Sequence, residues 1–272
     1  MICIAGKNDI AVFALETLLN TYMPNDLCVC VNKTDHGING WQKSLKFYAN
    51  KYDVRQYSLE QLYDIPELLF ISLEYDRLIS PDKFTSPAMY NIHFSLLPQY
   101  RGMYTSAWPI LNNEHESGVT LHKIDYGIDT GNIIAQIKFP IEFSDTGRDL
   151  YIKYIKYGKE LFHQQIQNLI DNHPEGTEQD KYCATYYSKD SINYKNLQID
   201  LNQPAIAIYN QIRAFNFKEY QQPQVFGTRI SEAQITEIRS AKKSGIMLSE
   251  TQDEYIVSSL DYDVILKKCC PS

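Results

Sequence analysis

Tyr90-Asn91-Ile92-His93-Phe94-Ser95-Leu96-Leu97-Pro98-Gln99-Tyr100-Arg101-Gly102 is the stretch of this 272-residue chain on which fold and chemistry turn together. Met89 to Phe94 reads as a buried strand, ended by Leu97-Pro98, with Arg101-Gly102 in the loop beyond. Side chains alternate along a strand, so Asn91 and His93 point to the same face. An amide beside an imidazole at the end of a buried strand is costly unless both are hydrogen-bonded. The carboxyl ends of strands are also where open α/β sheets bind ligands. On these residues alone, the pair reads equally as a structural polar cluster or as a site.

Upstream, strand-like and helical spacings alternate. Ile2–Ala5 is a short apolar run ending in Gly6-Lys7-Asn8, and Ile10 to Leu19 carries helical spacing. Leu27–Val31 reads as a second buried strand. Trp41 to Tyr52 reads as an amphipathic helix with Trp41, Leu45, Tyr48 and Ala49 on one side. Ser58 and Gln61 fit a capping box before a short helix, and Leu68–Leu73 is the next strand. Such alternation implies right-handed crossovers and a mostly parallel sheet. Downstream, Gly118–Lys123 and Ile133–Phe139 are strand-like and flank a turn-rich stretch, Asp125 to Gly131. Helices are expected over Gly147–Asn172 and Pro204–Phe215, with short strands at Glu254–Ser258 and Asp263–Leu266. The expected fold class is α/β: a Rossmann-like, mostly parallel sheet flanked by helices, with a small strand-rich C-terminal addition.

Composition narrows the classes. A hydrophobic fraction of 44% with 22% charged residues is ordinary for a globular protein. A formal charge of -7 and a pI near 5.4 oppose binding of nucleic acid by the whole surface, while leaving room for the local basic patch a diphosphate needs. The N-terminus has no basic n-region or long apolar stretch and reads as a first strand rather than a signal peptide. The longest aliphatic run, Leu68 to Leu73, is too short to span a bilayer, so a cytoplasmic protein without membrane partners is expected. Cys3, Cys28, Cys30, Cys183, Cys269 and Cys270 include no C-x-x-C pair, and reduced thiols are expected rather than disulfides or a metal site. G-x-G-x-x-G is absent, which disfavours a dinucleotide cofactor.

Asp129 lies in Asp125-x-Gly127-x-Asp129-Thr130-Gly131, where the glycines permit the backbone to turn an acid inward. It reads equally as an Asx-turn residue that solvates a loop. The combination of His93-Phe94-Ser95-Leu96-Leu97-Pro98, Arg101-Gly102 and Asp129-Thr130-Gly131 resembles the signature of the folate-dependent formyltransferases. Methionyl-tRNA, glycinamide ribonucleotide and nucleotide-sugar enzymes share it, and the likeness covers roughly residues 1 to 175. The resemblance implies a formyltransferase fold with a catalytic domain over residues 1–180. It also implies a 10-formyltetrahydrofolate cosubstrate, no metal, and a catalytic set falling on Asn91, His93 and Asp129. These residue types suit the chemistry. An amide and an imidazole donate to the oxygen that gains charge when an amine attacks a formyl carbon. A histidine suits the proton the amine gives up, and an aspartate holds the ring and favours its charged form. A 10-formyltetrahydrofolate hydrolase would use the same set with water in place of the amine.

The tail narrows the acceptor. Arg213 to Pro223, Val225-Phe226-Gly227 and Ser259 to Leu266 resemble the nucleotide-sugar N-formyltransferases, in particular those acting on dTDP-linked amino-dideoxy sugars for bacterial O-antigens. The tail is shorter and less basic than the resemblance to the tRNA branch would require. The implied acceptor is dTDP-4-amino-4,6-dideoxyglucose, in O-antigen and lipopolysaccharide synthesis. A dTDP-3-amino sugar, a UDP-amino sugar or methionyl-tRNA are the alternatives. For the sugar nucleotide, Lys7 and Asn8 stand at a strand-to-helix turn that favours anions, with Arg77, Tyr104 and Arg213 as further donors. Phe215 and Tyr220 offer rings for stacking on a base, and Asn216 an edge reader. By resemblance, the pterin falls to Tyr75, Asp76, Leu78 and Ile79 and to Ile124, Asp125 and Tyr126. The resemblance and a strand-forming tail imply a homodimer, with residues 181–272 carrying acceptor-binding and dimer contacts.

Overall fold

A computed structural model describes residues 1–269 of the chain; Cys270, the second of the vicinal cysteines, lies outside the described residues. Seven strands make the main sheet: β1 (Ile2–Gly6), β2 (Leu27–Val31), β3 (Arg55–Gln56), β4 (Leu69–Leu73), β5 (Met89–His93), β6 (Glu116–Lys123) and β7 (Ile133–Pro140). Their order is β3-β2-β1-β4-β5-β6-β7. β1 pairs in parallel with β2 and β4, as do β2 with β3 and β4 with β5, whereas β6 runs antiparallel to β5. Every residue of β1 and β4 is buried, the pattern of central strands covered on both faces. Because the chain leaves β1 in one direction and returns past it to β4, the carboxyl ends of β1 and β4 flank a topological switch point.

Helix α1 (Asn8–Leu19) buries Ile10, Ala11, Leu15 and Leu18. Helix α2 (Leu45–Lys51) is shorter than the Trp41–Tyr52 span expected from the sequence. The Ser44 hydroxyl accepts the Phe47 amide at 3.0 Å and starts the helix there, which leaves Trp41 outside it and 36% exposed. The expected capping box at Ser58 is half made. The Ser58 amide donates to Gln61 Oε1 at 2.8 Å, and the turn that follows, Glu60–Leu62, is a 3-10 helix. Three further helices follow: α3 (Trp108–Leu111), α4 (Gly147–Asn172) and α5 (Ala205–Phe215).

The chain forms two compact units. The first comprises Met1–Gly102, Gly118–Phe139 and Lys153–Tyr186, and the second Met103–Ser117, Pro140–Ile152 and the chain from Tyr187. In the second, β8 (Gln224–Val225), β9 (Thr228–Ile235), β10 (Met247–Glu250), β11 (Glu254–Val257) and β12 (Val264–Lys268) pair antiparallel in the order β8-β9-β12-β11-β10. Ile208 and Ile212 of α5 join Ile230, Val257, Val264 and Leu266 in its core. Cys3, Cys28 and Cys30 are buried free thiols of β1 and β2. No helix among the described residues is long and apolar enough to cross a membrane.

Gly6 ends β1 at φ +150°, and a Cβ there would stand 1.8 Å from the Leu73 carbonyl oxygen. Gly6→Ala is therefore expected to destabilise the protein by about 2–4 kcal/mol, through backbone strain and displacement of β4. Denaturant titration reads this as a fall in midpoint, and an unchanged midpoint would refute the close approach.

Candidate active site

The carboxyl end of β5 gathers four side chains of the first unit. Register places Asn91 opposite His122 and His93 opposite Thr120, so Asn91, His93 and His122 share one face. His93 Nε2–H donates to the Tyr100 carbonyl at 2.8 Å and His122 Nδ1–H to the Lys123 carbonyl at 2.7 Å. Each ring thus spends one nitrogen on a main-chain oxygen and turns the other to Asp129. His93 Nδ1 lies 3.5 Å from Asp129 Oδ2, and His122 Nε2 lies 3.5 Å from Asp129 Oδ1. Asn91 Nδ2 donates to Asp129 Oδ1 at 3.4 Å and stands 3.1 Å from His122 Nε2, while the Gly102 amide donates to Asp129 Oδ2 at 2.9 Å.

The local sequence explains how the acid arrives. Asp125, not Asp129, makes the Asx-turn: its Oδ1 accepts the Gly127 amide at 3.1 Å and the Thr130 hydroxyl at 2.6 Å. Asp129 adopts φ +54°, a left-handed conformation that Asp tolerates better than most residues, and its carboxylate faces the histidines. Beyond β5, Leu97-Pro98 is a cis peptide bond. The turn around it is braced by Thr120, whose hydroxyl donates to the Ser95 carbonyl at 2.7 Å and accepts the Leu97 amide at 3.1 Å.

Burial pushes the Asp129 carboxyl up. The charge of His93, the hydrogen bond and charge of His122 and the Gly102 amide outweigh burial and hold the group well below the usual carboxylate range. A buried acid kept ionised beside two imidazoles can orient them and stabilise a proton that arrives on either. A neighbouring amide donor completes a set suited to a carbonyl oxygen that gains negative charge.

The other expected residues are placed as follows. Lys7 is the N-cap of α1, and Asn8, at φ +66°, donates to Glu74 at 3.2 Å. Arg77 is held by Glu60 at 2.7 Å. Tyr75, Ile79 and Ile124 pack against one apolar cluster that includes Phe70 and Phe84, which brings the two expected pterin segments together. Tyr75 also pairs with Cys30 at 3.1 Å, whereas Asp76, Leu78 and Tyr126 are exposed. In the second unit, Tyr104 meets Tyr194 edge-on at 5.0 Å, and Tyr194 meets Phe215 at 6.1 Å. Asn216 donates to the Ser231 carbonyl at 2.7 Å. Arg213 is buried, with its guanidinium on Asn210 Oδ1 at 2.9 Å and the Asp145 carbonyl at 3.1 Å, the position of an internal fastener. Tyr220 is 59% exposed on a cleft of about 400 Å³ whose wall carries Lys195, Lys218 and Arg229. His122 and this cleft were not anticipated. A second histidine two residues before the Ile124 turn, on an alternating strand, was the available signal for His122.

Residues 32–166 match the formyl transferase family, and a methionyl-tRNA formyltransferase from Synechococcus sp. (strain JA-3-3Ab) is 32% identical over 78% of this chain and 70% of its own length. The chain belongs to the formyltransferase family. Two solved structures resemble this formyltransferase along nearly its whole length. WlaRD, a sugar 3N-formyl transferase solved in the presence of dTDP and 5-N-formyl-THF, is 42% identical, with 100% of this chain and 98% of that one covered and a TM-score of 0.92. An N-formyltransferase from Helicobacter canadensis, in complex with folinic acid and dTDP-3-aminofucose, is 44% identical over 98% and 99% of the two chains, with a TM-score of 0.91.

The arrangement fixes a pH dependence for this formyltransferase. Asp129 titrates in the folded state below the unfolded-chain value of about 3.9. Its ionised form therefore stabilises the fold above that pH, and the contribution is lost as pH falls through the folded-state midpoint. In a carboxyl-carbon NMR titration, His122→Ala is expected to move the Asp129 midpoint upward. A midpoint unmoved by that substitution would deny His122 its part.

Proposed function

We propose that this chain transfers the formyl group of 10-formyltetrahydrofolate to the amine of a dTDP-linked 3-amino-dideoxy sugar. The observation that carries the chemistry is the ionised, mostly buried Asp129 between His93 and His122, beside the Asn91 amide. The two solved relatives support the partners, one solved with dTDP and 5-N-formyl-THF and the other with folinic acid and dTDP-3-aminofucose. They also favour carbon 3 over the carbon 4 expected from the sequence.

The folate supplies a formyl carbon open to attack. Asn91 Nδ2 stabilises the oxygen as the amine adds to that carbon. The new bond joins the sugar nitrogen to the formyl carbon, and the bond from that carbon to folate N10 breaks. The proton lost by the amine passes to His93, is held there by the Asp129 carboxylate, and leaves on N10. His122 and the Gly102 amide keep the carboxylate in place through the cycle.

For the nucleotide, support comes from the cleft beside Tyr220. In a chain of net charge -7, its wall holds three cations and no carboxylate among the described residues. Lys218 and Arg229 suit a diphosphate, and the Tyr220 ring suits a base. The expected homodimer, cytoplasmic setting and lipopolysaccharide destination belong to the same proposal. Exposed Phe226, Leu260 and Tyr262 in the C-terminal region support the first of these.

His93→Ala is expected to fold normally and to lose at least about a thousandfold in turnover with a dTDP-3-amino sugar. Near-normal turnover would sink the assignment. Lys218→Ala and Arg229→Ala are each expected to raise the acceptor KM roughly tenfold while changing kcat little, and an unaltered KM in both would move the diphosphate elsewhere.

A further inference from the structure

Gln179 is 4% exposed, and every hydrogen-bonding atom of its amide is used on one short turn or on one arginine. Its Nε2 donates to the Asp129 carbonyl at 2.9 Å and to the Gly131 carbonyl at 2.7 Å. Its Oε1 accepts both Arg101 Nε at 3.1 Å and a terminal Arg101 nitrogen at 2.7 Å. Gln179 arrives there by a backbone device. Thr177 and Ile133 exchange amide-to-carbonyl hydrogen bonds at 2.8 Å, which lays the segment after α4 alongside the first residue of β7.

Four features make this clamp specific to Asp129. The clamped carbonyls flank Thr130, so they bracket the end of the turn that carries the acid. Asp129 itself sits at φ +54°, a conformation that the surroundings must hold. Gly131 is seated so close to β6 that a Cβ would stand 1.9 Å from the Lys123 carbonyl oxygen, so the turn has no slack on that side. The Gly102 amide, next to Arg101 in the chain, is itself a donor to Asp129 Oδ2 at 2.9 Å. Arg101 and Gln179 therefore tie together both the main chain beneath the carboxylate and the strand end that donates to it. A glutamate there would set a carboxylate against two carbonyls, and an apolar residue would leave both carbonyls and the guanidinium without this partner.

We propose that Gln179, seated by Arg101, is a positioning residue of the reaction: it holds the Asp129 turn in the geometry that places the carboxylate between His93 and His122. It touches no reacting atom and acts only through Asp129. This rests on the catalytic reading of Asp129 given above. A misplacement of about 1 Å in such a group is worth on the order of a hundredfold in rate.

A double-mutant cycle tests it under single-turnover conditions, with 10-formyltetrahydrofolate and a dTDP-3-amino sugar. Gln179→Leu is expected to lower the rate of formyl transfer by roughly ten- to a hundredfold while leaving both KM values within about threefold. In an Asp129→Asn background the same substitution is expected to have no further effect, because the group it positions is already disabled. An equal loss in both backgrounds, or no loss in either, would overturn the positioning role. Near-normal transfer by Asp129→Asn alone would overturn the catalytic reading beneath it, a distinct outcome. Should Gln179→Leu fail to fold, Arg101→Met enters the same cycle, with a smaller expected loss that again vanishes beside Asp129→Asn.

Discussion

A carboxylate that is mostly buried must be surrounded by charge and hydrogen-bond donors or it will take up a proton. Around Asp129 that demand is met by two imidazoles, one side-chain amide and one main-chain amide. Much of the first unit can be understood as the apparatus that brings these groups together. β5 supplies Asn91 and His93 on one face. Antiparallel pairing with β6 puts His122 opposite Asn91, and Arg101–Gly102, a two-residue strand rather than the loop expected there, sets a main-chain amide against the acid.

The strands and most helices were legible because the chain obeys simple periodicities. β2 and α4 match the expected spans residue for residue, and the apolar runs of β1 and β4 announce buried central strands. The error at α2 has a plain cause. Apolar spacing continues upstream to Trp41, but the hydroxyl of Ser44 caps the helix, and a cap overrides periodicity at a helix end. β3 was unreadable because it has two exposed residues, Arg55 and Gln56, and contributes nothing to the core.

For the site, the legible part was what lies within one strand or one turn. Asn91 and His93 are two residues apart, and the glycines around Asp129 mark a tight turn. His122 and Gln179 are different in kind. Each acquires its meaning from pairing between segments distant in sequence, His122 through register with β5 and Gln179 through the bridge of Thr177 to Ile133. The Asx-turn illustrates the same point. Asp125 and Asp129 are both acids in one turn, and only the hydrogen bonds of Asp125 to Gly127 and Thr130 show which of them is spent on the loop. In the second unit, Arg213 carries a charge that suggests a ligand, yet three main-chain and side-chain oxygens of its own unit accept from it. Lys218 and Arg229, unremarkable in sequence, share a cleft wall with Tyr220.

The central claim is that Asp129, His93 and Asn91 pass a formyl group from folate to a sugar amine rather than to water. The most direct test follows the formyl carbon. Wild-type protein is mixed with 10-formyltetrahydrofolate carrying a carbon-13 label in its formyl group and with a dTDP-3-amino-dideoxy sugar, and carbon NMR identifies the product. The expected result is a formamide carbon signal belonging to the sugar product, abolished by Asp129→Asn, with little free formate. Label released as formate at the same rate with or without the sugar would contradict it.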